Sequence, residues 1–174
     1  MRSKLAGGAS AALYDVCGAA DLNGDGAADV LFRRKTDGVV LAWLTSGGSP
    51  PTVTGIVRLA SASYSRWQLA GGAGDLNGDG KSDLVWRGLG PDLRAYLWFT
   101  SGAVVVGTQV LGTMPINWSL VAAGDYSGDG RDNLVWRDAA NGQNLLWKMA
   151  GTVLTATQAL EPKIGANWII VGPK

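Results

Sequence analysis

Apolar residues in this chain come in short runs that follow one another without strict alternation, as in Leu84-Val85-Trp86, Val104-Val105-Val106 and Trp118 to Val121, and polar or glycine-bearing turns separate the runs. No segment keeps the 3.6-residue period of an amphipathic helix. Runs this short, rich in β-branched and aromatic residues, read as strands. Consecutive apolar positions are expected where both faces of a small sheet are covered by neighbours. The pattern therefore predicts an all-β chain of small sheets stacked face to face.

The runs recur with a fixed register. Asp21-Leu-Asn-Gly-Asp-Gly, Asp75-Leu-Asn-Gly-Asp-Gly and Asp125-Tyr-Ser-Gly-Asp-Gly are spaced by 54 and 50 residues. Eleven residues after each first Asp stands an aromatic (Phe32, Trp86, Trp136), followed by Arg33, Arg87 or Arg137. Trp43, Trp98 and Trp147 lie 22, 23 and 22 residues after the loop start, and Gly47, Gly102 and Gly151 mark the turns beyond them. Ahead of the loops comes an aromatic-led segment at Tyr14, Trp67 and Trp118, and Trp168-Ile-Ile-Val-Gly172 repeats it a fourth time. A fixed period of about fifty residues is the mark of a repeat architecture. We expect an N-terminal extension, 1–13, and three four-stranded units at about 14–66, 67–117 and 118–174, with the surplus strand either capping the stack or closing a ring.

The acidic segments carry the candidate chemistry. Their spacing places side-chain oxygens at positions 1, 3, 5 and 9, glycine at 6 for a sharp turn, and a backbone carbonyl at 7, like the first nine positions of an EF-hand loop. A hard cation seeking six to eight oxygens at about 2.3–2.6 Å needs a chain that coils around it, which short acids alternating with glycine allow. The first loop offers Asp21, Asn23, Asp25, the carbonyl of Ala27, and Asp29; the second offers Asp75, Asn77, Asp79, the carbonyl of Lys81, and Asp83. The third offers Asp125, Ser127, Asp129, the carbonyl of Arg131, and Asn133, with Asp132 displaced by one position, and is expected to bind most weakly. No loop has the bidentate Glu at position 12 and none is flanked by helical periodicity, so the EF-hand reading fails and strand–loop–strand calcium sites are expected instead. The plainer alternative is a set of Asn-Gly and Asp-Gly turns joining strands.

Composition narrows the rest. The 174 residues are 47% hydrophobic and 17% charged, with 26 glycines, which suits short strands and tight turns. A net charge of +1 gives no global field toward nucleic acid or anionic lipid, and no apolar run approaches the ~20 residues that span a bilayer. With no histidine and one cysteine, disulfides, thiolate zinc sites and imidazole catalysis drop out, and Cys17 reads as a small core residue. The N-terminal residues make no convincing signal peptide.

These residues resemble the FG-GAP or VCBS repeat family, whose units read roughly W-x-x-x-G-x-G-D-x-N-G-D-G-x-x-D-[IL]-x-W-R. Trp67 through Arg87 and Trp118 through Arg137 carry nearly every marker in order, while Tyr14, Phe32 and Asn133 depart from it. The resemblance implies a β-propeller with one blade per repeat and calcium in the loop between the first two strands, as in integrin α-subunit propellers and some fungal and bacterial lectins. It also implies an extracellular or cell-surface location. Family rings have six to eight blades, and closed propellers need at least about four. Three blades leave open ends that soluble proteins avoid exposing, so self-association is expected, for example as a head-to-tail dimer of six blades; a piece of a longer propeller is the alternative.

Function is expected to be non-catalytic recognition of glycans or extracellular proteins, with calcium as the only cofactor. A scaffold with no ligand but calcium is the alternative, and a polysaccharide-degrading enzyme is the weakest reading, since no nucleophile elbow is present and the carboxylates are assigned to calcium. The eight Trp all fall at repeat-equivalent positions and are expected in the core; the three repeated Arg are expected to bond carbonyls of neighbouring blades. Less repetitive residues, Tyr64, Arg66, Arg94, Tyr96 and Asn117, are the looser ligand candidates.

Overall fold

The computed structural model describes residues 13–63, 65–72 and 74–168. Among the described residues twelve strands form three antiparallel four-stranded sheets, each a simple meander in chain order. The first sheet holds β1 (Tyr14–Ala20), β2 (Asp29–Arg34), β3 (Val39–Ser46) and β4 (Thr52–Ser61). The second holds β5 (Trp67–Gly72), β6 (Leu84–Gly88), β7 (Arg94–Ser101) and β8 (Val104–Thr113). The third holds β9 (Trp118–Gly124), β10 (Asn133–Asp138), β11 (Asn144–Ala150) and β12 (Val153–Leu160). The described residues contain no helix. Of the fourth aromatic-led segment only Trp168 is described, 69% exposed, and the remainder lies outside the described residues, as do residues 1–12 of the expected extension.

The sheets stack through two apolar layers. Between the first and second sheets lie Leu31, Val40, Ala42 and Ala62 against Leu69, Leu84 and Trp86, with half-buried Cys17 packed on the layer. Between the second and third lie Val85, Ala95, Leu97 and Leu111 against Leu134, Trp136, Trp147 and Met149. Successive residues of β6 therefore enter opposite layers, and the whole strand is buried, as its unbroken apolar run predicts. The equivalent strand β2 of the first sheet instead alternates buried and half-buried positions, whereas β10 of the third sheet is buried throughout. Phe32 and Trp43, 4.6 Å apart, lie half-buried on the other face of the first sheet.

Each repeated arginine ties its own sheet to the connection that follows. Arg33 donates to the carbonyls of Trp67 (2.6 Å), Ala62 (2.8 Å) and Ser63 (2.9 Å). Arg87 donates to those of Pro115 and Ile116, and Arg137 to those of Ile164, Gly165 and Trp168. A planar guanidinium with five N–H donors suits a cluster of carbonyls that an ammonium could not bridge. The arginines thus bond the carbonyls that their place in the repeat predicts. One local turn precedes every leading tryptophan: Trp67, Trp118 and Trp168 donate their N–H to Ser63, Pro115 and Gly165.

Candidate metal centre

The three acidic loops join the first two strands of each sheet, and the first two loops touch. Ser82 N–H donates to the Asp21 carbonyl at 2.7 Å, and Gly24 lies against the Gly80 carbonyl and the Lys81 stem. In each loop the glycines at positions 4 and 6 have φ between 76° and 85°, a left-handed conformation that side chains disfavour. Two such turns in quick succession coil the backbone so that its N–H groups converge on the first Asp.

In the first loop Asp21 Oδ1 accepts from Gly24 N (2.7 Å) and Asp25 N (3.2 Å), and Oδ2 from Gly26 N (2.8 Å). Asn23 Oδ1 accepts from Asp25 N, Asn23 Nδ2 donates to Asp25 Oδ2, and Asp25 Oδ1 accepts from Ala27 N. The second loop repeats this: Asp75 accepts from Gly78, Asp79 and Gly80, Asn77 from Asp79, and Asp79 from Lys81. The ninth position is different in kind. Asp29 is fully buried and bonds outward, its Oδ2 accepting from Leu22 N (3.1 Å) and its Oδ1 from Thr45 N (2.9 Å) at the end of β3. Asp83 does the same with Leu76 N (3.2 Å) and Thr100 N (3.1 Å). These carboxylates pin the loop to the third strand, and the Thr45 and Thr100 hydroxyls add a second tie to the carbonyls of Ala28 and Ser82.

Electrostatics marks the same spot. Burial, with Asp79 and Asp75 nearby, pushes the Asp83 carboxyl up to about 6, even though two backbone N–H groups pull it down. Asp29 is raised for the same leading reason. Negative charge in these loops is thus only partly compensated by the backbone dipoles around it.

The loops can be tested against a hard cation by counting acceptor positions, about four per carboxylate. Asp75 uses three, Asp79 one and Asp83 two, which leaves roughly six on the second loop's carboxylates. The first loop keeps roughly five by the same count. With the Asn23 or Asn77 oxygen and the carbonyl of Ala27 or Lys81, the donor set fits calcium in number and hardness. Among the described residues no group of three or more acidic or thiol side chains is drawn together so as to hold a metal ion.

The third loop is chemically closed. Asp125 Oδ1 accepts from the N–H groups of Ser127, Gly128 and Asp129 and from the Ser127 hydroxyl, and Oδ2 from Gly130 N, which holds its carboxyl below the usual range. Asp129 accepts from Arg131 N. Asn133 keeps one tie, its Oδ1 accepting from Met149 N at 3.1 Å. Its Nδ2 donates to Ser127 Oγ (3.3 Å) and to the Arg131 carbonyl (3.1 Å), two of the oxygens offered to the ion. An amide N–H also cannot accept the N–H of residue 126. Tyr126 N instead donates to Gly124 O, and its side chain is 54% exposed where Leu22 and Leu76 are fully buried. Asp132 turns to the second loop: it lies against Gly74, just before that loop, and accepts from the Asp75 backbone.

Comparison with known families agrees with the repeat. A model described as an FG-GAP-like repeat matches residues 21–86 and again residues 75–136, together more than half of the chain. The chain belongs to the FG-GAP-like repeat family. Each FG-GAP-like match begins at the first Asp of a loop and runs through the next loop to the aromatic of the strand beyond it. No curated protein and no solved structure gives a significant match.

The looser ligand candidates do not converge. Arg94 is exposed and paired with Asp92, Asn117 donates to Asp138, and Arg66 is exposed. Tyr96 is half-buried with its ring edge-on to Trp67, and Tyr64 lies outside the described residues. What sequence reasoning missed is the partner of the ninth position: Thr45, Thr100 and Met149. The signal was present, since the chain reads Thr-Ser-Gly at the end of β3 and β7 but Met-Ala-Gly at the end of β11, the same unit in which Asn133 replaces Asp.

Proposed function

We propose that this chain is a calcium-stabilised recognition module of FG-GAP-like repeats, presented to glycans or proteins outside the cell, with no catalysis of its own. The reading is carried by one observation: two loops whose buried ninth carboxylates and free acceptor positions leave negative charge for a cation to neutralise. Asp21, Asn23, Asp25, Asp29 and the Ala27 carbonyl would hold one ion; Asp75, Asn77, Asp79, Asp83 and the Lys81 carbonyl would hold another. Calcium supplies positive charge that locks each loop between its two strands. The residues themselves orient the oxygens. The third loop, satisfied internally by Asn133, is the weakest site.

Isothermal titration with calcium is the test. Two ions per chain, bound with dissociation constants of about 0.1–1 mM as in extracellular modules, are expected. No heat, together with a melting temperature that chelator leaves unchanged, would falsify the calcium reading. A glycan array in calcium tests recognition, and polysaccharide turnover assays are expected to read zero.

The outer face of the first sheet supports self-association as part of this reading. Val16 (68% exposed) and Ile56 (48% exposed) flank Phe32 and Trp43 there, an apolar face of the kind a further blade covers. A head-to-tail ring of two chains and six blades satisfies it. Sedimentation in calcium is expected to give a dimer, and a stable monomer removes the ring.

A further inference from the structure

Position eight of a loop reaches the unit before it. Counted from the first Asp, that position is Ala28 in the first loop, Ser82 in the second and Asp132 in the third. Ser82 meets the first loop through its backbone, its N–H donating to the Asp21 carbonyl at 2.7 Å. Asp132 meets the second loop through its side chain: the half-buried carboxylate packs on Gly74 and accepts from the Asp75 N–H. A Cβ at Gly74 would collide with that carboxylate, and no left-handed φ requires glycine there. Opposite Ser82, the residue just before the first loop is Ala20. The glycine is therefore explained by the carboxylate it admits.

We propose that Asp132 is a positioning residue of the second calcium site, supplied by the third unit: it holds Asp75 by its N–H and sets a fourth carboxylate beside the loop's own three. The proposal rests on the calcium reading of the second loop and adds a residue from outside that loop. Asp75 is thereby tied at both ends, its side chain by Gly78, Asp79 and Gly80 and its backbone N–H by Asp132. In the chain alone the Asp132 charge is badly placed. The charges around it are the carboxylates of Asp75 and Asp125, both of its own sign, and among the described residues no lysine or arginine pairs with it. A half-buried carboxylate in such company costs stability. A divalent cation in the second loop reverses the sign of that interaction, so the group that strains the empty loop strengthens the filled one. Because such coupling is reciprocal, packing of the third unit raises calcium affinity in the second, and calcium there tightens the packing of the third unit. The first loop has neutral Ser82 in this place and gains no such charge. The second loop is therefore the tighter of the two.

The test is Asp132→Asn, which keeps an oxygen to accept the Asp75 N–H and removes the charge. Calcium is titrated into the native chain and the variant, and the two loops are followed separately by the amide NMR signals of Gly26 and Gly80, whose N–H groups bond Asp21 and Asp75. The affinity read at Gly80 should fall about fivefold, the upper range for a half-exposed charge pair, while that read at Gly26 stays unchanged. Urea unfolding supplies a readout that a merely structural residue would not move. The variant should be at least as stable as the native chain in chelator and less stable in calcium. An equal loss in both conditions overturns the proposal, since it would make Asp132 a packing residue only. Unchanged affinity at Gly80 in a chain that binds two ions also overturns it, and leaves the calcium reading standing. If neither glycine responds to calcium in the native chain, the calcium reading itself falls, and this proposal falls with it.

Discussion

The second and third acidic loops share a backbone path and differ in what fills them. Asp83 gives both oxygens to buried backbone N–H groups and still has acceptor positions to spare. Asn133 gives one oxygen to Met149 and points its N–H groups at the oxygens an ion would use. One exchange of oxygen for nitrogen converts a loop with acceptor positions to spare into one that fills them with its own N–H groups. Other positions change with it: Leu76 becomes Tyr126, Asn77 becomes Ser127, Lys81 becomes Arg131, Ser82 becomes Asp132 and, on the third strand, Thr100 becomes Met149. Position nine is thus a structural pin in every unit, an oxygen that accepts from the N–H of the third strand, which is why the fold tolerates its change.

Removing the pin should have the largest effect. Asp83→Ala strands the Leu76 and Thr100 N–H groups in the core, and at about 1–3 kcal/mol for each unpaired buried donor the loss should be about 3 kcal/mol. Urea unfolding in calcium measures it. Asn133→Ala strands only the Met149 N–H and should cost about half as much. Equal losses would erase the distinction between the loops.

Chelation comes next. At 1 mM calcium and dissociation constants of about 0.1–1 mM, each occupied loop gains ~0.4–1.4 kcal/mol. Two loops together should shift the melting temperature by several degrees, at roughly 2–4 °C per kcal/mol for a chain of this size. Hydrogen exchange sharpens the point: the amides of Thr45 and Thr100 should lose protection in chelator, and that of Met149 should keep it. Equal loss at Met149 would mean that the third loop depends on metal as well.

The smallest effect is a gain. Asn133→Asp combined with Tyr126→Leu restores the carboxylate and the buried leucine, and should add one calcium to the stoichiometry and ~0.4–1.4 kcal/mol in 1 mM calcium. In chelator the double variant should be less stable than the parent, because the new carboxylate is buried without a counter-charge. A stoichiometry that does not change would show that the ninth residue is not what closes the third loop.

Much of the architecture could be read from the chain because its markers are local and repeated. The apolar runs place β6 and β10, the Asp-x-Asn-Gly-Asp-Gly segments place the loops, and Arg33, Arg87 and Arg137 sit beside the connections they bond. What escaped depends on contacts between distant residues. Nothing near Asp29 names Thr45 as its partner, sixteen residues away, and nothing around Asp132 turns its carboxylate from its own loop to Asp75 in the unit before. The expected burial of every sheet on both faces also fails for β2, since a run such as Val30-Leu31-Phe32 looks the same whether one neighbour covers it or two.

The arginine ties bear on how such a chain could have grown. Each unit carries, two strands in, the group that grips the start of whatever comes next, and it grips main-chain oxygens, which every sequence supplies. A duplicated unit would therefore arrive with its coupling already built and would demand little of its successor. Lengthening the array by tandem copying needs no new fastener, and side chains between the copies are free to diverge, as Ser82 and Asp132 have done.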